Sequence, residues 1–395
     1  LRTRLLFVDD EPSVEGFERL LHPLRNEWTM EFVGSARAAQ ECIVRDHYDV
    51  ILADVTMAGI DGAQLLAFTR EHSPMTVRVA VSARQKQRLA MRCAGIAHLW
   101  LPRPCHPDVF RQAIARITDP RFRERTDRVM ALAMQWERLP SVPEIYSDMI
   151  ELLSDPDASL QDVGSLLERD LALTAKALHV ANSALFGLAH RVSRPAEAAA
   201  FLGIDALKSL VLATDVYSQF AKAMPRGFPA ARLSRRSRRV GAAARRIAQL
   251  EGGTRELLDE ALCAGLLSDV GILVLASNRY SQFQEVVSLE LPRGEAERQV
   301  FGATHAEVGG YLLGLWGLPP AVVAAVGFHQ SPSDSPLDHF CATTAVHVAD
   351  CLVSDSFSES AAPSLDREYL GRLRLLDRLP VWRSSVDAMP SPDFG

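Results

Sequence analysis

The sequence predicts an α/β domain built on a parallel sheet, followed by a mostly α-helical domain. Three observations lead there. Five short apolar runs alternate with amphipathic stretches up to about residue 117, β-branched alternation then largely vanishes, and helix-period patterns separated by Pro and Gly breaks take over. At 395 residues the chain also exceeds one ordinary core, and a prior of roughly 100 to 200 residues per domain suggests two.

The apolar runs are Leu5–Val8, Met30–Val33, Val50–Ala53, Val77–Val81 and His98–Leu101, and each reads as a strand followed by a helix, which favours a doubly wound parallel sheet. The arginine-rich stretch from Thr118 to Arg128 reads as a connector that continues as helix. Beyond it, Val163, Leu166 and Leu167, then Leu173, Ala177, Leu178 and Ala181, repeat at helical spacing. Breaks fall at Pro140 and Pro143, Asn182 to Gly187, Gly203, Pro225 to Pro229, Gly252, Pro292 to Gly294, and Pro319. Asn182 and Ser183 read as a turn held by short polar side chains. A polar loop from Ser354 to Ser364 precedes a last helical pattern, Leu365 to Leu379. The expected division is 1–117, a linker at 118–131, a helical domain at 132–352, and a loop and helical tail at 353–395.

Composition narrows the class. Apolar residues are 48% and charged residues 23%, as in a globular protein rather than a disordered or fibrous one. The six cysteines are scattered without a CxxC pair, which fits reduced thiols better than a disulfide framework or a zinc site. A net charge of −6 gives no general attraction to nucleic acid or anionic membrane. Neither a leader pattern nor an apolar run near the ~20 residues of a membrane span is evident, so the expectation is a cytoplasmic protein without membrane insertion.

Asp9 and Asp10 follow the first strand and Asp54 follows the third. In a doubly wound sheet these are adjacent carboxyl ends at the topological switch point, where crowded carboxylates invite a hard cation such as Mg²⁺ and one of them can serve as nucleophile. The plainer alternative is that all three cap helices or end strands.

The stretches VDDEP (Val8 to Pro12), DVILADVTMAGIDG (Asp49 to Gly62), VAVSA (Val79 to Ala83) and LPRPC (Leu101 to Cys105) resemble the receiver domain of two-component response regulators. The resemblance covers about Leu5 to Ile117 and implies a flavodoxin-like five-stranded sheet in the order 2-1-3-4-5. It further implies that Asp54 accepts a phosphoryl group, that Asp9, Asp10, Asp54 and the Thr56 carbonyl hold Mg²⁺, and that Ser82 contacts the phosphoryl oxygens. Two positions depart from the pattern: Arg103 stands where a lysine precedes a cis-proline, and Trp100 takes the aromatic switch position.

LPSVPEIYSDMIELLSD (Leu139 to Asp155), ERDLALTAKALHVANSALFG (Glu168 to Gly187), FLGIDALKSLVL (Phe201 to Leu212), AGLLSDVG (Ala264 to Gly271) and THAEVGGYLLGLWGLP (Thr304 to Pro319) together resemble the HDOD domain, a helical relative of metal-dependent HD phosphohydrolases. An HD-type centre needs an upstream histidine, a His-Asp pair and a distal aspartate. Here the pair reads Ser268-Asp269, the upstream position is taken at Arg236, and Asp350 corresponds to the distal carboxylate. His305, His329 and His347 remain as alternative ligands, against the plainer reading of hydrogen-bonded structural histidines.

Arg232, Arg236, Arg239 and Arg246 fall on one side of a predicted helix whose other side carries Leu233, Val240, Ala244 and Ile247. That basic side is a candidate partner surface, against a solvated face paired with local carboxylates. The leading expectation is a non-catalytic, phosphorylation-controlled output domain acting through protein–protein contact. The resemblance implies a sensor histidine kinase upstream, and downstream signalling partners such as cyclic-di-GMP enzymes. Receiver homodimerisation follows by analogy. The alternatives are a phosphohydrolase with an unconventional metal site and a nucleic-acid binder using the arginine stripe.

Overall fold

A computed structural model gives the fold. It describes the chain outside 10–17, 83–92, 103–109, 115–119, 134–147, 153–158, 168–194, 217–223, 354–363 and 390–395, and outside shorter stretches such as 56 and 58–61. The turn expected at Asn182 and Ser183 lies outside the described residues. The chain separates into two compact units, Leu1–Glu137 with Tyr311–Pro320, and Arg138–Gly310 with Ala321–Gly395.

The first unit holds β1 (Arg4–Val8), β2 (Thr29–Val33), α1 (Ala36–Arg45), β3 (Val50–Asp54), α2 (Gly62–His72), β4 (Val77–Ser82), β5 (Leu99–Pro102) and α3 (Pro120–Ala133). All sheet pairings are parallel and the order is β2-β1-β3-β4-β5, the order expected above. The two central strands are apolar from Leu5 to Val8 and from Val50 to Ala53 because both faces of the sheet are covered. Leu6, Val8, Ile51 and Ala53 pack on the side of α1 and α2, while Leu5, Phe7, Val50 and Leu52 fill the core on the opposite face. Each fully buried leucine or isoleucine of this set contributes roughly 1.5–3 kcal/mol. Helix α1 starts where Ser35 Oγ accepts a hydrogen bond from the Ala38 amide at 3.2 Å.

The stretch read as a connector is helical, and one histidine ties it to the sheet. The Arg78 amide donates to His98 Nδ1 at 2.9 Å, which leaves the ring proton on Nε2 to be donated to Asp127 Oδ1 of α3 at 3.0 Å.

The second unit is all helical among the described residues. It comprises α4 (Leu160–Leu167), α5 (Pro195–Leu202), α6 (Ala230–Leu250), α7 (Arg255–Leu267), α8 (Val270–Asn278), α9 (Tyr280–Ser288), α10 (Arg293–Phe301), α11 (His305–Leu315, up to Gly310), α12 (Pro320–Phe328, from Ala321), α13 (Ala342–Leu352), α14 (Arg367–Arg372) and α15 (Leu379–Asp387). Leu233, Val240, Ala244 and Ile247 of α6 are buried, as their spacing predicts.

Two stretches differ in detail from the expected pattern. The stretch Arg255–Asn278 is long and apolar enough to cross a membrane by length and composition, and 89% of its apolar window is buried inside the protein. The pattern from Leu365 to Leu379 is also not one helix: α14 stops, Arg374 takes a left-handed φ of 58°, and α15 follows a 3₁₀ turn and runs to Asp387. That tail is fastened to the end of α6, since Arg378 Nε and Trp382 Nε1 both donate to Glu251 Oε1 at 2.8 Å and Trp382 is fully buried.

Candidate functional site

In the first unit the sheet itself brings the carboxylates together. Val8 pairs with Ala53, so Asp9 and Asp54 leave neighbouring parallel strands side by side, and both are buried, at 5% and 4% exposure. Close approach of α2 is permitted by Gly62 at its start, where a Cβ would collide with the Asp54 carbonyl. Ser82 ends β4, one residue beyond the Val81 that pairs with Asp54, and Trp100 lies in β5 opposite Ala80. Their side chains, together with Asp10, Thr56 and Arg103, lie outside the described residues. Two buried carboxylates at adjacent strand ends are a donor set that suits a hard divalent cation, and receiver domains in general bind Mg²⁺.

The second unit also gathers carboxylates, and there a guanidinium of the chain lies between them. Asp269 occupies the break between α7 and α8, and Asp350 lies in the last turns of α13. Arg236 of α6 reaches both: Nη1 donates to Asp269 Oδ2 at 2.8 Å, and Nη2 donates to Asp350 Oδ1 at 2.7 Å and to the Asp350 carbonyl at 3.2 Å. All three residues are buried. Burial pushes the Asp350 carboxyl up, but the adjacent guanidinium outweighs it and holds the group down at about 2. Burial likewise opposes the charge on Arg236, and the two carboxylates more than offset it. Ser268 does not join the cluster through its hydroxyl, which donates to the Gly265 carbonyl at 3.0 Å.

Beside this ion-pair triad lie two of the three histidines. His305, at the start of α11, and His329, just after α12, have ring centroids 5.4 Å apart. His305 Nε2 is 3.7 Å from Asp269 Oδ1, the oxygen that Arg236 does not use. His305 Nδ1 and its backbone amide both donate to the Glu297 carboxylate, at 2.7 and 2.8 Å. His329 Nδ1 donates to the Val326 carbonyl at 2.8 Å, while its Nε2 is buried without a hydrogen-bond partner among the described residues. Burial pushes the His329 pKa down, which keeps the ring neutral. Gly271 makes the juxtaposition possible, because a Cβ there would collide with the His305 carbonyl oxygen.

The histidines therefore divide. His347 stands apart from the pair: Nδ1 donates to the His329 carbonyl at 2.7 Å and Nε2 accepts from the Asp366 amide at 2.9 Å, which makes it the hydrogen-bonded structural residue of the plainer reading. His305 and His329 instead converge with Asp269, their ligand atoms all lying within 4.8 Å of one another. Glu297 escapes sequence reasoning, since an acid within a charged helix such as RGEAERQVF reads as surface, yet it is fully buried against His305.

The arginine stripe differs from expectation. Arg236 faces inward and is committed to Asp269 and Asp350, so the surface formed by Arg232, Arg239 and Arg246 lacks its expected member. Arg246 Nε donates to Ser385 Oγ at 2.9 Å and Nη1 to Gln249 at 3.0 Å, so this side chain helps seat α15. Helical spacing groups Arg236 with Arg232 and Arg239, but it also sets Arg236 one turn from Leu233 and Val240, at the edge of the apolar stripe. From that edge a long side chain can turn either way, and the buried carboxylates decide the direction.

Comparison with known proteins agrees with both halves. Residues 5–115 match the response regulator receiver domain and residues 139–332 match the HDOD domain. An HDOD domain protein of unknown function from Geobacter sulfurreducens is 25% identical, covers 67% of this chain and 98% of its own, and superposes with a TM-score of 0.55. A protein from Shewanella amazonensis SB2B, whose name suggests a phosphohydrolase, is 21% identical over 67% of this chain and 96% of its own, with a TM-score of 0.51, a likeness of fold alone. An uncharacterized protein of Treponema pallidum (strain Nichols) is 26% identical over 289 residues, 68% of this chain and 54% of that relative, so the chain spans about half the length of this curated relative.

Proposed function

From a chain that joins a response regulator receiver domain to an HDOD domain, we propose a cytoplasmic response regulator in which phosphorylation of Asp54 controls a non-catalytic helical output domain. The observation that carries the non-catalytic part is the guanidinium of Arg236 between Asp269 and Asp350, at 2.8 and 2.7 Å. Arginine stays protonated at every working pH, so a permanent, covalently tethered cation holds both carboxylates that an HD-type centre would offer to metal.

In the receiver, an Asp54 carboxylate oxygen attacks the phosphorus of a phosphohistidine on a sensor histidine kinase. The O–P bond forms, the N–P bond breaks, and the imidazole leaves with a proton from solvent. Asp9, Asp10, Asp54 and the Thr56 carbonyl are the groups that would hold Mg²⁺, which when bound screens the charge between carboxylate and phosphoryl group. Ser82 and Arg103 serve the phosphoryl oxygens, and Trp100 carries the switch. Phosphorylation adds nearly two negative charges, enough to bias a protein–protein contact with a second copy or with a signalling enzyme such as one acting on cyclic-di-GMP.

The rival is a phosphohydrolase, and the convergence of Asp269, His305 and His329 favours it. Labelled acetyl phosphate separates the two when combined with a hydrolysis screen over cyclic dinucleotides and nucleotides. Acid-labile label on the native chain, absent from Asp54→Asn, with no turnover in either form, is the expected result. Turnover that disappears in Asp269→Asn would overturn the non-catalytic reading.

A further inference from the structure

We infer that the peptide joining Ala97 to His98, just ahead of β5, is a conformational joint: it couples the docking of helix α3 to the docking of Tyr311, so that loosening one loosens the other. All the residues concerned lie in the first unit. Tyr311 falls within the HDOD match by sequence, yet it is part of that unit. The joint sits at the amino ends of β4 and β5, opposite to the strand ends that carry Asp9 and Asp54.

Both polar groups of this peptide are taken. Its carbonyl, that of Ala97, accepts the Tyr311 hydroxyl at 2.7 Å, and its amide, that of His98, donates to the Arg78 carbonyl at 2.7 Å. The His98 ring completes the arrangement, accepting the Arg78 amide on Nδ1 and donating from Nε2 to Asp127 of α3. Because a peptide is planar, the Ala97 carbonyl and the His98 amide cannot turn independently. A tilt that follows Tyr311 strains the bond to Arg78, and it carries the His98 ring with it.

Arg78 holds the joint from the sheet. Its backbone bonds His98 through both the amide and the ring, and its side chain spans the approach to β5, where Nε donates to the Ile96 carbonyl at 2.8 Å and Nη1 to the Thr76 carbonyl at 3.0 Å. Nη2 lies 3.4 Å from His98 Nε2, an atom that already carries its proton towards Asp127. The neutral ring thus lies between a buried cation and a carboxylate, with its tautomer fixed at both nitrogens. Tyr311, His98 and Arg78 are buried, whereas Asp127 is half-exposed. Tyr311 is therefore the stronger grip and Asp127 the weaker, more adjustable one.

The test follows amide hydrogen exchange in the full-length, unphosphorylated chain, so its outcome is separate from that of the signalling reading. Tyr311→Phe removes one hydroxyl and should speed exchange of the α3 amides about 3- to 10-fold. Asp127→Ala should speed exchange of the Trp316 and Leu318 amides about 2- to 5-fold. His98→Asn should do the same, because asparagine can still accept the Arg78 amide but is too short to reach Asp127. Tyr311→Phe combined with Asp127→Ala should fall short of the product of the single effects, as two contacts on one support require. Exchange of the α1 amides should keep its native rate, which separates loosening of the joint from lost stability of the whole unit. Variants that each change only their own segment would overturn the proposal, as would a rise in α1 equal to that in α3.

Discussion

Asp9 and Asp54 are brought together by the register of two neighbouring parallel strands, whereas Asp269 and Asp350 converge from separate helices on Arg236, a residue far from either in the chain. The first arrangement follows from backbone pairing alone: once β1 lies beside β3, their carboxyl ends deliver both acids to one edge. The second requires three helices to dock correctly, and the ion pairs form only as they do. The same residue type thus sits at a strand edge suited to an exchangeable ion in one unit, and inside a fixed ion-pair network in the other.

That contrast can be broken most forcefully at Arg236. Arg236→Met leaves two buried carboxylates without their guanidinium and should destabilise the helical unit by about 3–5 kcal/mol, read as lost hydrogen-exchange protection in α6 and α13. A loss below about 1 kcal/mol would mean the triad is not what balances these acids.

Acid probes the same ion pair without mutation. Asp350 titrates at about 2 in the folded protein, below the ~3.9 of an unstructured carboxyl, so between these values the unfolded chain binds the extra proton. The stabilisation is present above about pH 4 and should disappear as pH falls towards 2, a loss on the order of 2 kcal/mol. Urea midpoints of the helical unit across that range check it, and a flat profile would contradict the pairing.

Gly271→Ala drives a methyl group against the His305 carbonyl oxygen and should cost about 1–3 kcal/mol through backbone displacement. Unchanged stability would show that α8 and α11 have room to separate.

The strand-edge acids sharpen the comparison from the other side. Mg²⁺ at ten times its dissociation constant should stabilise the first unit by about 1.4 kcal/mol through mass action, and thermal melts should show that increment lost in Asp54→Asn. The helical unit should not respond to Mg²⁺ at all. An equal increment in the variant would place the ion elsewhere.

Local patterning alone was enough to class both units and to point at the residues of the first site. Runs such as Val50–Ala53 read as strands because an unbroken, β-branched apolar stretch this short suits a strand covered on both faces, and the parallel order then carries Asp9 and Asp54 to the same edge. Motif position also flagged Arg236, Ser268, Asp269 and Asp350. What these residues do to one another was settled by long-range packing. Arg236 and Asp350 are 114 positions apart, Glu297 sits eight before His305, and His329 approaches Asp269 from another helix. Periodicity records which face of an element is apolar, whereas the inward turn of an arginine, the burial of a glutamate and the orphaned nitrogen of a histidine depend on how helices pack, which no local pattern encodes.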